Sequence, residues 1–430
     1  MANTPWSATS KNLDQDCHNW SGGLRFRPAR LEVPEHEEAV AALVRAAGRQ
    51  GRTIRPVGSA HSSSEIYVTD DVLVSLANIC GLHEHDSRCH RAAVGAGSQL
   101  TELSKELQSA GMTLSNFGDV ATQTVGGAIG TGTHGSGRNF PNLSMMLVGG
   151  RLVTARGEIT TFGVEEDLDF VRALRVSFGT LGILTSATLQ LEPLHDLRRQ
   201  EWCLGFEPCM EALDRLSREN RNFDFYWYPR SDEVKIRCLN PPGEEKTYGA
   251  FARLAKDETG PPHEVIPQHS DLPYRFEEME YSMPAEAGPD CMRKLRTRIK
   301  EKWRRSVGWR VLYRYIKRDD TWLSEAYGRD SVSISLHQNA TLPYWDFFLD
   351  LEPVMRDHGG RPHWAKKHSL RATELKALYP MWDRFLALRQ ELDPEGRFLI
   401  CADFSGARRV HGGDRKKAMD DSRGAHPLGE

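Results

Sequence analysis

The chain has 430 residues, 27% of them charged, and a net formal charge of -3. That near-neutral balance excludes the electrostatic footprint of a nucleic-acid partner, and no run approaches the roughly 20 apolar residues of a membrane helix. Met1–Trp20 lacks a secretory apolar core, and the 8 cysteines form no Cys-x-x-Cys pair, so reduced thiols, no metal site and a soluble cytoplasmic chain of about two or three domains are expected.

Residues 35–50 place Ala39, Val40, Leu43, Val44 and Ala47 on one helical face, with acids at the N-terminal end. An apolar strand over 53–57 follows, then short apolar runs at 72–76 and 92–94. Residues 100–110 read as an amphipathic helix with Gly111 as its C-cap. Residues 147–154 and 183–191 are strand-like. Strands and helices interleave to about residue 195, an α+β or α/β pattern. Beyond it, 223–228 is an aromatic strand, and 240–271, rich in Pro, Gly and charge, reads as a long mobile excursion. Residues 289–307 are basic and helical, 331–336 alternate as a strand, and 373–392 form one helix stopped by Asp393-Pro394. The ends, 1–19 and 405–430, lack apolar residues in quantity and are expected to be disordered.

Three small-residue loops carry the chemistry. In the first, Arg55-Pro-Val-Gly-Ser-Ala-His-Ser-Ser63 runs from a strand into a turn that presents His61. Small side chains let backbone N–H groups close around an anion such as a phosphate; the alternative is a tight turn with a solvated histidine. The second, 116–137, contains Gly130-Thr-Gly-Thr-His-Gly135. This matches G-x-G-x-x-G, but the residues that follow cannot open a helix, so a Rossmann site is rejected. The absence of a Lys-Ser/Thr ending also rejects a P-loop. The third is Phe178-Gly-Thr-Leu-Gly-Ile183. Together they read as a cradle for a large phosphate-bearing cofactor.

The spacing of these loops, with a helix before the first, resembles the flavoprotein fold of the vanillyl-alcohol oxidase superfamily. Residues 321–330, Gly359-Gly-Arg-Pro-His-Trp-Ala-Lys366 and Leu392-Asp-Pro-Glu-Gly-Arg-Phe398 are similar to its sugar-lactone and alditol oxidase branch. The resemblance covers about residues 20–399. It implies an α+β fold of two domains: an FAD-binding domain over 20–195, to which 366–400 returns, and a substrate-binding cap over 196–365. It implies that His61 is covalently tethered to the 8α-methyl of FAD. Pro56, Val57, Gly58, Ser59, Ala60 and Ser62 would surround the pyrophosphate. Gly118, Asp119, Thr124, Gly126, Gly127, Thr131, Gly132, Thr133, His134, Gly135, Gly182 and Ile183 would line the cofactor. Glycine at 118 is the family feature that leaves the flavin open to dioxygen, and no second tethering cysteine is present. Lys366 matches the lysine beside flavin N1, and Arg314 the substrate-gripping arginine of a Glu-x-Arg pair.

The glutamate of that pair is replaced by Leu312. Candidates for its work are Asp119, where relatives carry serine or alanine, and His337, an imidazole able to act as base. Glu280 is a further acid, and Ser335 a neighbouring hydroxyl. Structural alternatives are a loop cap for Asp119, a packed strand residue for His337 and a surface charge for Glu280. The resulting expectation is an FAD-dependent oxidase of a hydroxyl carbon in a sugar, polyol or sugar-derived compound, with O2 as acceptor. A carboxylate added at Asp119 would suit an amino sugar or aminoglycoside. A dehydrogenase using another acceptor and a non-catalytic flavoprotein are the alternatives.

Overall fold

The computed structural model describes residues 16–267 and 275–400. The expected disorder of 1–15 and of 405–430 lies outside those residues, but Cys17–His18 is a strand paired with Arg25–Phe26. Helix Glu37–Arg49 forms where periodicity placed it, capped by the His36 side chain, which accepts from the Ala39 N–H, and buries Val40, Ala41, Val44 and Ala47. Beside it lies a parallel sheet ordered Arg30–Glu32, Val72–Ser75, Ile54–Val57. A second sheet, antiparallel, runs Ile159–Gly163, Leu147–Val153, Ile183–Gln190, Arg91–Gly95, Leu82–Asp86. Helix Leu100–Ser109 ends at Gly111, whose φ of 74° is the left-handed conformation that glycine tolerates.

The third sheet is antiparallel and drawn from eight strands: β1 (Leu197–Gly205), β2 (Asn222–Tyr228), β3 (Glu233–Asn240), β4 (Arg253–Gly260), β5 (Phe276–Pro284), β6 (Val311–Ile316), β7 (Ser331–Asn339) and β8 (Arg361–Pro362). Their order is β4-β1-β3-β2-β6-β7-β5-β8. Because side chains alternate across a strand, its two faces differ. One buries Phe225 stacked on Tyr313 at 4.8 Å, with Met279, Tyr281, Ile334 and Leu336, under helices Phe206–Glu219, Gly288–Arg298 and Trp345–Asp357. The other face is polar. Register sets its rows: Glu278 opposite His337; Glu280, Ser335, Leu312 and Tyr226 in line; then Ser282, Ser333, Arg314 and Asp224.

Three local expectations are corrected. The described part of the 240–271 excursion, 240–267, contains the edge strand β4 and a short helix, Pro262–Val265, and 268–271 lies outside the described residues. Charged residues suit an edge, where they discourage pairing with other chains. The helix expected over 373–392 is two, Ala372–Leu378 and Trp382–Leu392. Pro380 separates them, since proline lacks an N–H and pushes the preceding residue out of helical geometry. The basic helix ends as a π-helical turn, Ile299–Trp303.

Candidate active site

Parallel pairing of Ile54–Val57 with Val72–Ser75 delivers the chain into Gly58–Ser63. Buried Arg55 fastens this loop to distant segments, donating to the carbonyls of Phe398 (2.6 Å), Ile66 (2.8 Å) and Phe178 (2.5 Å). The turn closes with Ala60 at φ 54°. Ser59 donates to the Thr122 carbonyl at 2.6 Å, and the Ser63 N–H donates to Ala365 at 2.7 Å. A Cβ on Gly58 would stand 2.2 Å from Thr124 Oγ1, the cap of helix Val125–Gly130. Only glycine permits that approach.

This loop lines a cavity of about 360 Å³ with Pro56, Val57, Thr124, Gly126, Gly127, Thr131 and Gly182. Among the described residues, the backbone N–H groups of Ser59, Ala60, His61 and Ser62 have no acceptor. Consecutive unpaired donors at a small-residue turn form an anion nest, so the residues fit the pyrophosphate of FAD. His61, Ser62 and Gln123 also line a second cavity of about 110 Å³. His61 thus stands where the two meet. Its Nε2 faces Thr122 Oγ1 at 2.7 Å and its ring lies 5.5 Å from that of Trp20. Burial, reinforced by Lys366, lowers its pKa to about 4, so the imidazole is neutral at pH 7.

The second cavity brings together Gly118, Asp119, Thr133, His134, Glu280, Arg314, His337 and Lys366 from the residues expected at the site. Gly132, Gly135, Ile183 and Ser335 line neither cavity. Gly132 turns at φ 72° beside Glu325, and a Cβ on Gly135 would lie 2.3 Å from the Phe117 carbonyl, so both serve chain packing. Ile183 is a buried core residue, and Ser335 is covered within the sheet. Glu280 is no surface charge. It is fully buried, and its Oε1 accepts from Arg314 and from His134 Nε2, each at 2.8 Å. Burial opposes its ionisation, but Arg314 and His134 outweigh that and hold its pKa well below the ordinary value.

Asp119 is likewise engaged. Arg237 donates to its Oδ1 at 2.8 Å, and the Tyr226 hydroxyl donates to Oδ2. Burial is again outweighed, by Arg237 and then Arg314, leaving the carboxyl ionised below the usual range. Its charge is therefore balanced within the protein rather than free for an ammonium group. His337 Nδ1 donates to the Arg310 carbonyl at 3.1 Å, while Nε2 faces Glu278 Oε1 at 3.2 Å. Both ring nitrogens thus face partners within the protein.

Several pocket residues escaped the sequence reading. Glu278 lies between His337 and Lys366, whose Nζ donates to Oε2. Burial pushes the Glu278 carboxyl up, but Lys366 and then His337 bring it to about 2. His363 lies on the pocket wall, its Nδ1 accepting from the Ala365 N–H at 3.1 Å, and burial lowers its pKa to about 3. Ligand atoms of His134, Glu325 and His363 lie within 4.8 Å of one another; burial pushes the Glu325 carboxyl well above its ordinary value. Strand alternation was the available signal. Glu278 and Glu280 share one face of β5, as do Arg310, Leu312 and Arg314 along and just before β6.

The structure resembles cholesterol oxidase from B. sterolicum with a TM-score of 0.77, covering 93% of this chain and 98% of that one at 16% identity, a likeness of fold. Residues 28–163 match the FAD binding domain family and 245–403 the D-arabinono-1,4-lactone oxidase family. L-gulono-1,4-lactone dehydrogenase of Mycobacterium tuberculosis is 32% identical over 418 residues, covering 89% of this chain and 96% of that protein. L-gulonolactone oxidase of Bos taurus is 26% identical over 422 residues with the same coverage. D-arabinono-1,4-lactone oxidase of Eremothecium gossypii is 35% identical over 215 residues, 49% of this chain and 40% of that one. Among the described residues no helix is long and apolar enough to cross a membrane.

Proposed function

The chain belongs to the sugar-lactone oxidase branch of the vanillyl-alcohol oxidase superfamily, FAD-dependent oxidoreductases of sugar-derived substrates, and from that premise we propose that it oxidises a hydroxyl carbon of a sugar lactone or related polyol with O2 as final acceptor. The observation that carries this reading is the meeting of two cavities at His61, one walled by small-residue loops with unpaired N–H groups, the other by titratable side chains. The chemistry that FAD supplies when bound is hydride acceptance, with H2O2 formed when the electrons pass to O2.

The N–H groups of Ser59–Ser62 would bind the pyrophosphate, and neutral His61 would hold the cofactor by one covalent bond. A substrate hydroxyl enters between Lys366 and Glu278. Drawing Lys366 away removes the first of the two charges that hold the Glu278 carboxyl low, and burial, which raises it, then makes it a stronger base. Glu278 would take the hydroxyl proton, and the hydride lost from the same carbon is the electron pair that the cofactor's chemistry would accept. His337, donating to Glu278, is a positioning residue; Arg314, held by Glu280, orients a substrate oxygen.

An anaerobic screen of L-gulono-1,4-lactone, D-arabinono-1,4-lactone, the corresponding aldonates and alditols for flavin bleaching tests the activity. Failure of every one to bleach the holoenzyme would reject it. Similarity to L-gulono-1,4-lactone dehydrogenase of Mycobacterium tuberculosis favours a second reading with another acceptor. One H2O2 formed per substrate oxidised under air supports the oxidase; slow reoxidation without H2O2 supports the dehydrogenase.

A further inference from the structure

Charges on the pocket wall are mostly matched within the protein. Lys366 pairs with Glu278, Arg314 with Glu280, and Arg237 with Asp224 and Asp119. Arg310 differs. Among the described residues its guanidinium forms no ion pair, and its Nε is buried without a hydrogen-bond partner. Its contact is the face of Tyr226, with Cζ 3.9 Å from the ring centroid. Tyr226 is itself fully buried and fixed through its hydroxyl to Asp119, which makes its ring a firm platform. The Arg310 backbone is pinned by the bond from His337. A stacked, desolvated guanidinium keeps its fork of N–H donors in one plane, the geometry that receives a carboxylate through two parallel bonds.

We propose that Arg310 binds a carboxylate of the substrate, so that the pocket selects a sugar acid over its neutral or amino counterpart. The nearby Asp119 does not forbid this, because Arg237 and Tyr226 occupy both its oxygens. An aldonate is the ring-opened form of an aldonolactone, so the inference stays within the chemistry of the relatives while reversing the charge that Asp119 alone suggested. It rests on the reading of this cavity as the substrate pocket.

Gluconate, glucitol and 1-amino-1-deoxyglucitol share a carbon skeleton and carry a negative, neutral and positive group at C1. Each is titrated into dithionite-reduced holoenzyme, which cannot oxidise it, by isothermal titration calorimetry under argon. Gluconate is expected to bind at least about tenfold more tightly than glucitol, the size of a charge-assisted hydrogen bond, with the amine weakest. Arg310→Met should erase the preference for gluconate and leave glucitol within about twofold. Arg310→Lys keeps the charge but not the planar fork, so the preference should narrow without reversing, and it carries the comparison should the methionine variant fold poorly. Equal binding of gluconate and glucitol, a preference that survives in Arg310→Met, an order reversed in Arg310→Lys, or tightest binding of the amine would overturn the inference alone. Binding of none of the three would overturn the pocket reading and this inference with it.

Discussion

Replacing Glu278 by glutamine keeps the side chain's shape, removes its charge and separates two consequences. The carboxylate is buried, with Lys366 on one oxygen and His337 Nε2 3.2 Å from the other. Breaking a fully buried ion pair costs about 3–5 kcal/mol. The Lys366 side chain keeps 24% of its exposure and can turn to water, so the expected loss is smaller, about 2 kcal/mol. The protein should therefore remain folded and yellow. Flavin reduction, followed by anaerobic stopped-flow with the best lactone or polyol from the screen, should slow by about 10²–10⁴-fold, the usual contribution of a general base. The pH profile then discriminates between bases. With its carboxyl held at about 2, Glu278 is ionised throughout the folded range, so kcat/KM, which reports the free enzyme, should be flat on the acid side down to about pH 5. An imidazole base in general gives an acid limb near pH 6.5. Such a limb in the wild type, together with a Glu278→Gln rate within about threefold of wild type, would refute the assignment.

His61→Ala should release its flavin on acid precipitation, whereas the wild-type pellet stays yellow; a colourless wild-type pellet would rule out the covalent bond. Gly118→Ala places a Cβ 3.3 Å from the His134 carbonyl oxygen and 3.4 Å from Thr133 Cγ2, which a shift of a few tenths of an ångström relieves. Flavin reduction should be retained and H2O2 formation in air should fall by about tenfold or more; unchanged oxygen reactivity would remove Gly118 from the argument. Glu280→Gln leaves Arg314 and His134 buried without their shared carboxylate and should destabilise the fold by about 3–5 kcal/mol in denaturant titrations. Because the folded-state pKa of Glu280 is lowered, its stabilisation is present above the unfolded value of about 4.3 and is lost as pH falls below it. The wild-type advantage over Glu280→Gln should therefore narrow in acid, and a gap that widened there would contradict the buried pair.

The small-residue cavity that we assign to the cofactor was legible in the sequence because its signal is local. Gly58, Gly126 and Gly127 are needed where backbone approaches backbone or ligand, and a run of small residues announces that without knowledge of neighbours. The polar face of β7 was legible for the same reason, since Ser331, Ser333 and Ser335 alternate with Val332, Ile334 and Leu336. The state of each charge was not. Asp119 and Arg237 are separated by 118 positions, and Glu280 meets His134 across 146. A strand pattern says that Glu280 and Arg314 occupy one face, but only the order β6-β7-β5 brings them together. The same limit left Glu280 open to reading as a surface charge beside its reading as a pocket acid, and made Asp119 look free.

Leu312 was the strongest sign of a degenerate site, and the sheet register changes its meaning. Leu312 lies opposite Ser335, which lies opposite Glu280, so a carboxylate still occupies the same row two strands away. Through it Arg314 keeps an anionic partner at 2.8 Å. Had the change at 312 left that guanidinium buried and alone, the destabilisation of several kcal/mol would argue for decay of the site. Instead the pair persists and the acid–base work can pass to Glu278 one row along. What the leucine removes is negative charge between Arg310 and Arg314, two residues on the same face of the strand. An apolar side chain there leaves Arg310 with no carboxylate in contact among the described residues, Asp119 acting on it only at longer range, and an incoming carboxylate would supply that contact.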